Sequence, residues 1–327
     1  MELPFTTLDV FTSTRLEGNP LAVVRVPASL RDSLTQSVKQ KIAQEFNLSE
    51  TVFLHDDTSR SGPEARDIDI FTCEQELPFA GHPTIGTAVL VRQHLASGGE
   101  GVRSLITKAG PIGLAPSPQG IQAQIPHNVH LHKRTLGDLL SVSPETKAVV
   151  EAGLHPNPEI RAAELDAPVF SIVKGMAFVL VRLESLDLLR QVKALRLDFE
   201  TLAPELLDEG WRDSFVARYY YVDVDVDGEG EGEGVKGLRT RMVELGMEDP
   251  ATGSAATCLG AYLTLAREKK GTRFLVTQGV EMGRKSVISV ETTVKGGEGE
   301  GSELKIGEVY LGGTAVVVMQ GSLNVGV

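Results

Sequence analysis

HPTIGTA (His82 to Ala88) and DPATGSA (Asp249 to Ala255) share the pattern polar-Pro-x-x-Gly-Thr/Ser-Ala, 167 residues apart, each after a strand-like run and a short acidic turn. Each opens a segment, TIGTAVLVRQHL and ATGSAATCLGAYLTLAREKK, that is apolar on most faces in its first turns. A helix without a polar face has to be enclosed, and the many short Val-, Ile- and Phe-rich runs on either side supply curved sheet to enclose it. Chance makes one such match; two, each opening a buried helix near the same point of its half, predict a duplicated half. The fold class is therefore α+β, with two pseudo-symmetric halves, each a β-barrel-like sheet wrapped around a central helix. The Pro suits a first helical turn, small residues let a ligand approach the backbone, and free N–H groups with the helix dipole attract an anion. Two such helix entrances facing across a cleft would hold a small carboxylic acid.

Outward from these helices the chain reads as many short strands: Phe5 to Phe11, Leu21 to Val26, Thr51 to Leu54, Arg66 to Phe71, Val102 to Thr107 and Ile121 to Gln124 in the first half. Eight more follow, from Val169 to Val173 through Ala315 to Met319. Leu34, Val38, Ile42 and Phe46 recur every fourth residue, the apolar stripe of a third, amphipathic helix ending near Asn47. The halves are placed at 1–128 and 129–313, with the active site in the cleft between them and a final strand near 314–327 that could return to the first. DGEGEGEGVKG (Asp227 to Gly237) and KGGEGEGSE (Lys295 to Glu303) read as acidic loop tips with no nucleotide role, since no Gly-to-helix transition or Walker Lys follows.

At 327 residues the chain is long enough for two domains and a sizeable core. Lys+Arg 32 against Asp+Glu 44 gives a net charge of -12, which disfavours nucleic acid and anionic membrane as partners. Cys73 and Cys258, 185 positions apart and without a CxxC, suggest neither a disulfide framework nor a thiolate metal site. With no basic leader and no apolar run of about 20 residues, the expectation is a soluble cytoplasmic protein.

Glu50 in NLSET lies where the amphipathic helix meets a strand. A carboxylate at the negative end of a helix dipole suits a group that gives and takes a proton, though position alone favours a solvated turn residue. His82 stands at the first helix entrance, where it can donate to a bound carboxylate or a Glu, or serve only as a cap. Asp249 holds the matching place in the second repeat; an N-cap is its bland reading and can coexist with a functional one. Thr87 and Ser254 are ligand donors or ordinary small helix residues. His127, His130 and His132 look like a metal motif, but in a strand 130 and 132 share a face that 127 does not, so an exposed linker is preferred and no metal is expected. There is no GxSxG, and no hydrolase triad is legible.

LEGNPLAVV (Leu16 to Val24), IAQEFNLSETVFL (Ile42 to Leu54), FTCEQELPFAGHPTIGTA (Phe71 to Ala88) and EDPATGSAA (Glu248 to Ala256) resemble the signature blocks of the phenazine-biosynthesis PhzF-like family. QGVEMGR (Gln278 to Arg284) and the closing VYLGGTAVVVMQGSLNV resemble its C-terminal blocks, so the likeness runs from near Leu3 to the end. It implies a diaminopimelate-epimerase-like fold and a cofactor-independent isomerase of a small carboxylic acid. By match, Glu50 is the proton-shuttling carboxylate, His82 the active-site histidine and Asp249 the active-site aspartate. The resemblance further implies that Asn19, Ser49, Gly81, Gly253 and Ser254 line or border the substrate pocket and that the protein pairs as a homodimer. The departure is FTC for the more usual FTP at Cys73. A two-thiol racemase is disfavoured, because neither AGHP nor DPATGS contains a thiol. Two other readings stay open: an epimerase or racemase using Glu50 with Asp249 or His82, and a binding or scaffold protein that keeps the fold without turnover.

Overall fold

The computed structural model describes residues 1–56, 62–95, 101–226, 234–244, 246–296 and 304–326. Of the two Gly-rich stretches read as loop tips, 227–233 and 297–303 lie outside the described residues, whereas residues 235–237 and Lys295 belong to strands and correct that reading. Two compact units emerge, Met1–Ile125 with Tyr310–Val327, and Pro126–Val309.

In the first unit, β1 (Glu2–Val10) lies antiparallel between β2 (Asn19–Val26) and the last strand of the chain, Ala315–Asn324. β2 runs parallel to β3 (Thr51–His55), which the crossover helix α1 (Gln36–Phe46) makes possible. β3 is antiparallel to β4 (Ala65–Phe71), which pairs with the short β5 (Glu76–Leu77) and, after helix α2 (Gly81–Val89), runs parallel to β6 (Ser104–Thr107). β7 (Gly110–Ser117) and β8 (Gly120–Gln124) extend the sheet.

The second unit repeats that order. β9 (His130–Leu131) is antiparallel to β10 (Val169–Val173), and β10 to β11 (Met176–Arg182), which runs parallel to β12 (Phe215–Val224). β12 is antiparallel to β13 (Val235–Glu244), which pairs with the short β14 (Met247–Asp249). After the next central helix β13 runs parallel to β15 (Thr272–Gln278), and β15 is antiparallel to β16 (Ser286–Lys295). β17 (Lys305–Gly313) then returns the chain to β8, and β18 (Ala315–Asn324) closes on β1.

The second central helix is Gly253–Leu263, named α8 below, and both central helices run on into one π-helical turn, Leu90–His94 and Thr264–Glu268. Every residue of α2 and all but two of α8 are buried, as helices apolar on all faces require. The duplication is real, but its register differs from the one expected. The π turns begin at Leu90 and Thr264, 174 residues apart, not 167. In the first copy the shared motif lies inside the helix; in the second it straddles the entrance. His82 is accordingly a first-turn residue of α2, whereas Asp249 ends β14 four residues before α8 begins. The structural repeat instead pairs Gly86 with Gly260. A Cβ at Gly86 would stand 2.6 Å from Leu21 Cδ2 and 2.7 Å from Val10 Cγ2, and one at Gly260 2.7 Å from Val290 Cγ1. Each glycine lets its helix seat against the sheet. Gly86→Val should destabilise the protein by about 1–3 kcal/mol through overpacking, read as a lower urea midpoint with the slope retained.

Sequence patterning missed five short helices of the second unit: α3 (Leu136–Leu139), α4 (Pro144–Gly153), α5 (Pro158–Asp166), α6 (Leu186–Gln191) and α7 (Phe199–Leu206). None exceeds three turns, too short for a stripe to repeat. Their signals are caps: the side chains of Thr135, Ser143, Asn157, Ser185 and Asp198 each accept a first-turn amide. These helices cover the outer face of the second sheet with Leu139, Val150, Ile160, Leu189 and Leu202. In the first unit α1 covers the corresponding face with Ile42 and Ala43, joined by Leu34 from the turn before it, against Phe53 and Phe71. β7 was also missed, its Gly-Pro composition (GPIGLAPS) arguing against a strand. Among the described residues no helix is long and apolar enough to cross a membrane.

Candidate functional site

α1 stops at Asn47, whose left-handed backbone (φ 52°) turns the chain and lets its amide donate to Ala43 O. Three residues later Glu50 stands at the threshold of β3. Its side chain is 18% exposed, and its Oε2 lies 3.6 Å from Nδ1 of His82, itself 5% exposed. That separation is longer than a formed hydrogen bond and short enough for a proton to pass after a small adjustment. Nε2 of His82 is buried and has no hydrogen-bond partner among the described residues. A buried ring nitrogen without a partner costs free energy unless something else fills the place.

The helix entrances share a second feature. α1 and α3 to α7 each carry a side-chain cap, Thr35 serving α1. Neither Ala80 before α2 nor Thr252 before α8 caps its helix with a side chain. First-turn amides at Gly81 and His82, and at Gly253 and Ser254, are thus left to backbone, water or ligand, where the dipole favours an anion.

The N-cap reading of Asp249 is corrected. The N-cap residue is Thr252, and Asp249 instead receives the Thr252 hydroxyl on Oδ2 at 2.6 Å and the Ala251 amide on Oδ1 at 3.4 Å. The carboxylate thus folds over its own loop and is ordered by it, as an Asx-type turn. Of the other expected residues, Asn19 is buried at the start of β2, Ser49 is exposed beside Glu50, and Gly81 and Gly253 are the buried first residues of α2 and α8. Ser254 is half-buried, its carbonyl accepting from Thr257 Oγ1 at 2.9 Å. The structure thus brings Glu50 and His82 together in the first unit and groups Asp249, Gly253 and Ser254 on one loop and helix start in the second. Sequence reasoning missed Thr252 and Gln278, which contact Asp249 directly; a Thr three residues after an Asp was the available signal.

Cys258 is fully buried in α8, its Sγ donating to Phe170 O at 3.2 Å, and burial pushes its thiol well above the ordinary range. Cys73 faces the end of α1, with its Sγ 3.5 Å from Leu48 O.

The histidine run is not an exposed linker. His132 is buried at 5% exposure, and His130 stacks on Trp211 with ring centroids 4.8 Å apart. Nε2 of His130 meets Asp208 Oδ2 at 2.8 Å. His130, His132 and Asp208 gather within 4.8 Å, a metal-like trio. Both nitrogens of His132 are nevertheless committed, Nδ1 accepting the Asp208 amide at 3.1 Å and Nε2 meeting Ser171 Oγ at 2.9 Å. No lone pair of His132 is left for an ion without breaking one of these bonds. Burial, with the charge of His130 beside it, pushes His132 down to about 4. An unfolded histidine takes its proton near 6.5, so the unfolded chain binds the proton first, and this site costs stability progressively as pH falls from about 6.5 to about 4. His132→Gln should flatten that part of the stability curve, measured by urea midpoints at stepped pH; an unchanged slope contradicts it.

Three comparisons bear on what this geometry belongs to. The family described as phenazine biosynthesis-like protein matches residues 8–321. A Mesorhizobium japonicum protein described as an uncharacterized isomerase is 34% identical over 96% of both chains. The trans-2,3-dihydro-3-hydroxyanthranilate isomerase of Pseudomonas fluorescens is 28% identical over 98% of both. A Bacillus anthracis phenazine biosynthesis protein of the PhzF family shares the fold, with a TM-score of 0.69 at 22% identity over 99% of this chain and all of the other. The family match across nearly the whole chain and relatives that are named isomerases have one reading: the chain belongs to the phenazine biosynthesis-like family of isomerases.

Proposed function

We propose that this protein is a cofactor-independent isomerase of a small cyclic carboxylic acid, in which Glu50 removes a proton from an activated carbon and returns it elsewhere on the conjugated system. The observation that carries the reading is the pairing of a largely buried carboxylate with a histidine whose second nitrogen is buried and unpartnered. Glu50 is the general base and then the general acid. His82 donates to the substrate or to Glu50 and steadies charge as it develops, and Asp249 is a further catalytic residue. The uncapped amides of Gly81, Gly253 and Ser254 receive the carboxylate or the developing enolate, with Asn19 and Ser49 bordering the substrate. Within the same proposal the protein is cytoplasmic and homodimeric, each chain holding its own site, so a monomeric variant that stays folded keeps its activity.

The test uses the compound named for the Pseudomonas fluorescens relative, trans-2,3-dihydro-3-hydroxyanthranilate, incubated with the protein in D₂O and followed by proton NMR. Isomerisation with deuterium at one new C–H position supports the reading. Deuterium entering the original carbon with inversion there favours an epimerase that uses Glu50 with Asp249 or His82. Binding with neither isomerisation nor exchange, across this compound and a panel of related carboxylic acids, overturns the enzymatic reading in favour of a binding protein.

A further inference from the structure

Asp249 is held by a hydrogen-bond chain that begins deep in the second unit. Tyr219 of β12, Thr240 of β13 and Gln278 at the end of β15 are fully buried, and the Tyr219 hydroxyl lies 2.9 Å from both Thr240 Oγ1 and Gln278 Oε1. Burial above all pushes the Tyr219 phenol up, so it stays a donor. With Gln278 Oε1 turned to hydroxyl donors, Nε2 faces the other way and donates to Asp249 O at 2.8 Å and Thr252 Oγ1 at 2.9 Å. The opposite amide orientation would set two carbonyl oxygens against each other, so chemistry fixes this one. Because Thr252 Oγ1 accepts from Gln278, its own proton goes to Asp249 Oδ2. The chain thus has one direction, tyrosine to glutamine to threonine to carboxylate.

The backbone reinforces it. Gly279, next to Gln278, has φ +74°, and a Cβ there would come within 2.6 Å of Pro250 O and 2.5 Å of Arg284 O. The turn after β15 therefore lies directly on the loop that follows Asp249. On the other side Glu248 is clamped by Arg241, at 2.8 and 2.7 Å, and that guanidinium also donates to Leu189 O and Val192 O.

We propose that Gln278, acting through Thr252, is a positioning residue that sets the orientation of the Asp249 carboxylate for the reaction. This rests on the reading of Asp249 as a site residue. Gln278 is itself fully buried and is assigned no contact with the substrate.

The experiment is carbon NMR of the full chain labelled at aspartate Cγ, with the Asp249 resonance assigned from Asp249→Asn, in wild type, Thr252→Val, Thr252→Ser and Gln278→Leu. Thr252→Val is nearly isosteric and removes only the hydroxyl, which both accepts from Gln278 and donates to Asp249, so it remains informative should Gln278→Leu fail to fold. The Asp249 resonance should move in Thr252→Val and Gln278→Leu and return to its wild-type position in Thr252→Ser. Turnover should fall about tenfold or more in the first two, at unchanged thermal midpoint for Thr252→Val, because small misplacements of a reacting group are costly. An Asp249 resonance unmoved in folded Thr252→Val and Gln278→Leu overturns the proposal, even if Asp249→Asn is inactive. A resonance that moves while Asp249→Asn keeps full activity leaves the anchoring standing and overturns the role of Asp249 in the reaction.

Discussion

Glu50→Gln should lower kcat for proton transfer by about 10³–10⁴-fold while KM changes by no more than a few-fold. The amide keeps the shape and the hydrogen-bonding reach of the carboxylate but neither accepts nor returns a proton under working conditions. Removing a positioned general base costs about 10²–10⁴-fold, and the upper part of that range applies where one group serves as both base and acid. Burial matters here: at 18% exposure, beside a buried imidazole, little room is left for water to substitute for the missing carboxylate. His82→Asn should cost less, about 10²-fold, because it removes a donor and not the proton carrier. Initial rates by proton NMR separate the cases. A Glu50→Gln enzyme within tenfold of wild type contradicts the assignment.

The second large effect is on stability and lies away from the site. Glu164 and Arg218 are completely buried in the second unit and paired at 3.1 Å. Glu164 also accepts the Tyr220 hydroxyl at 2.5 Å and the His155 amide at 2.7 Å, while Arg218 donates to Gly153 O at 2.9 Å and to Leu195 O. Glu164→Leu leaves a buried cation and two further donors without their acceptor. Breaking a buried pair on one side costs about 3–5 kcal/mol, which for a unit of this size is a drop in Tm of roughly 6–20 °C. The double variant Glu164→Leu with Arg218→Met should recover most of the loss, because the penalty is the uncompensated charge rather than the absence of the pair. Calorimetry of the single and double variants checks both statements. A single variant within about 1 kcal/mol of wild type would mean that water or a local shift reaches Arg218.

What the sequence revealed and what it withheld divide along physical lines. α2 and α8 were legible because a helix apolar on every face has few homes, and both proved to be wrapped by sheet. Their shared motif misled in register: Pro-x-x-Gly-Thr/Ser-Ala matches at 167 residues, while the helices repeat at 174 with Gly86 and Gly260 as the equivalent close contacts. Local composition repeats for reasons of backbone chemistry without marking the same structural position. The short helices α3 to α7 escaped because their information is in caps such as Ser143-Pro144 and Asn157-Pro158 and not in a stripe. Glu50 and His82 were nominated from their blocks, but their approach to 3.6 Å depends on α1 ending at a left-handed Asn47 and on β3 starting at once. Gln278 and Thr252 were beyond reach for a different reason. Their role is a contact between residues 26 apart, made by the parallel pairing of β13 with β15, and no local pattern encodes it.

The central claim is that one carboxylate carries the proton away and brings it back. Substrate deuterated at the carbon that loses its hydrogen, turned over once in ordinary water by excess wild-type protein, tests it most directly by mass spectrometry of the product. The account predicts deuterium retained at the new position, since a single largely buried Glu50 returns part of what it removed before exchanging with solvent. Complete loss of the label, with solvent hydrogen delivered to the opposite face, would show two separate groups at work and contradict it.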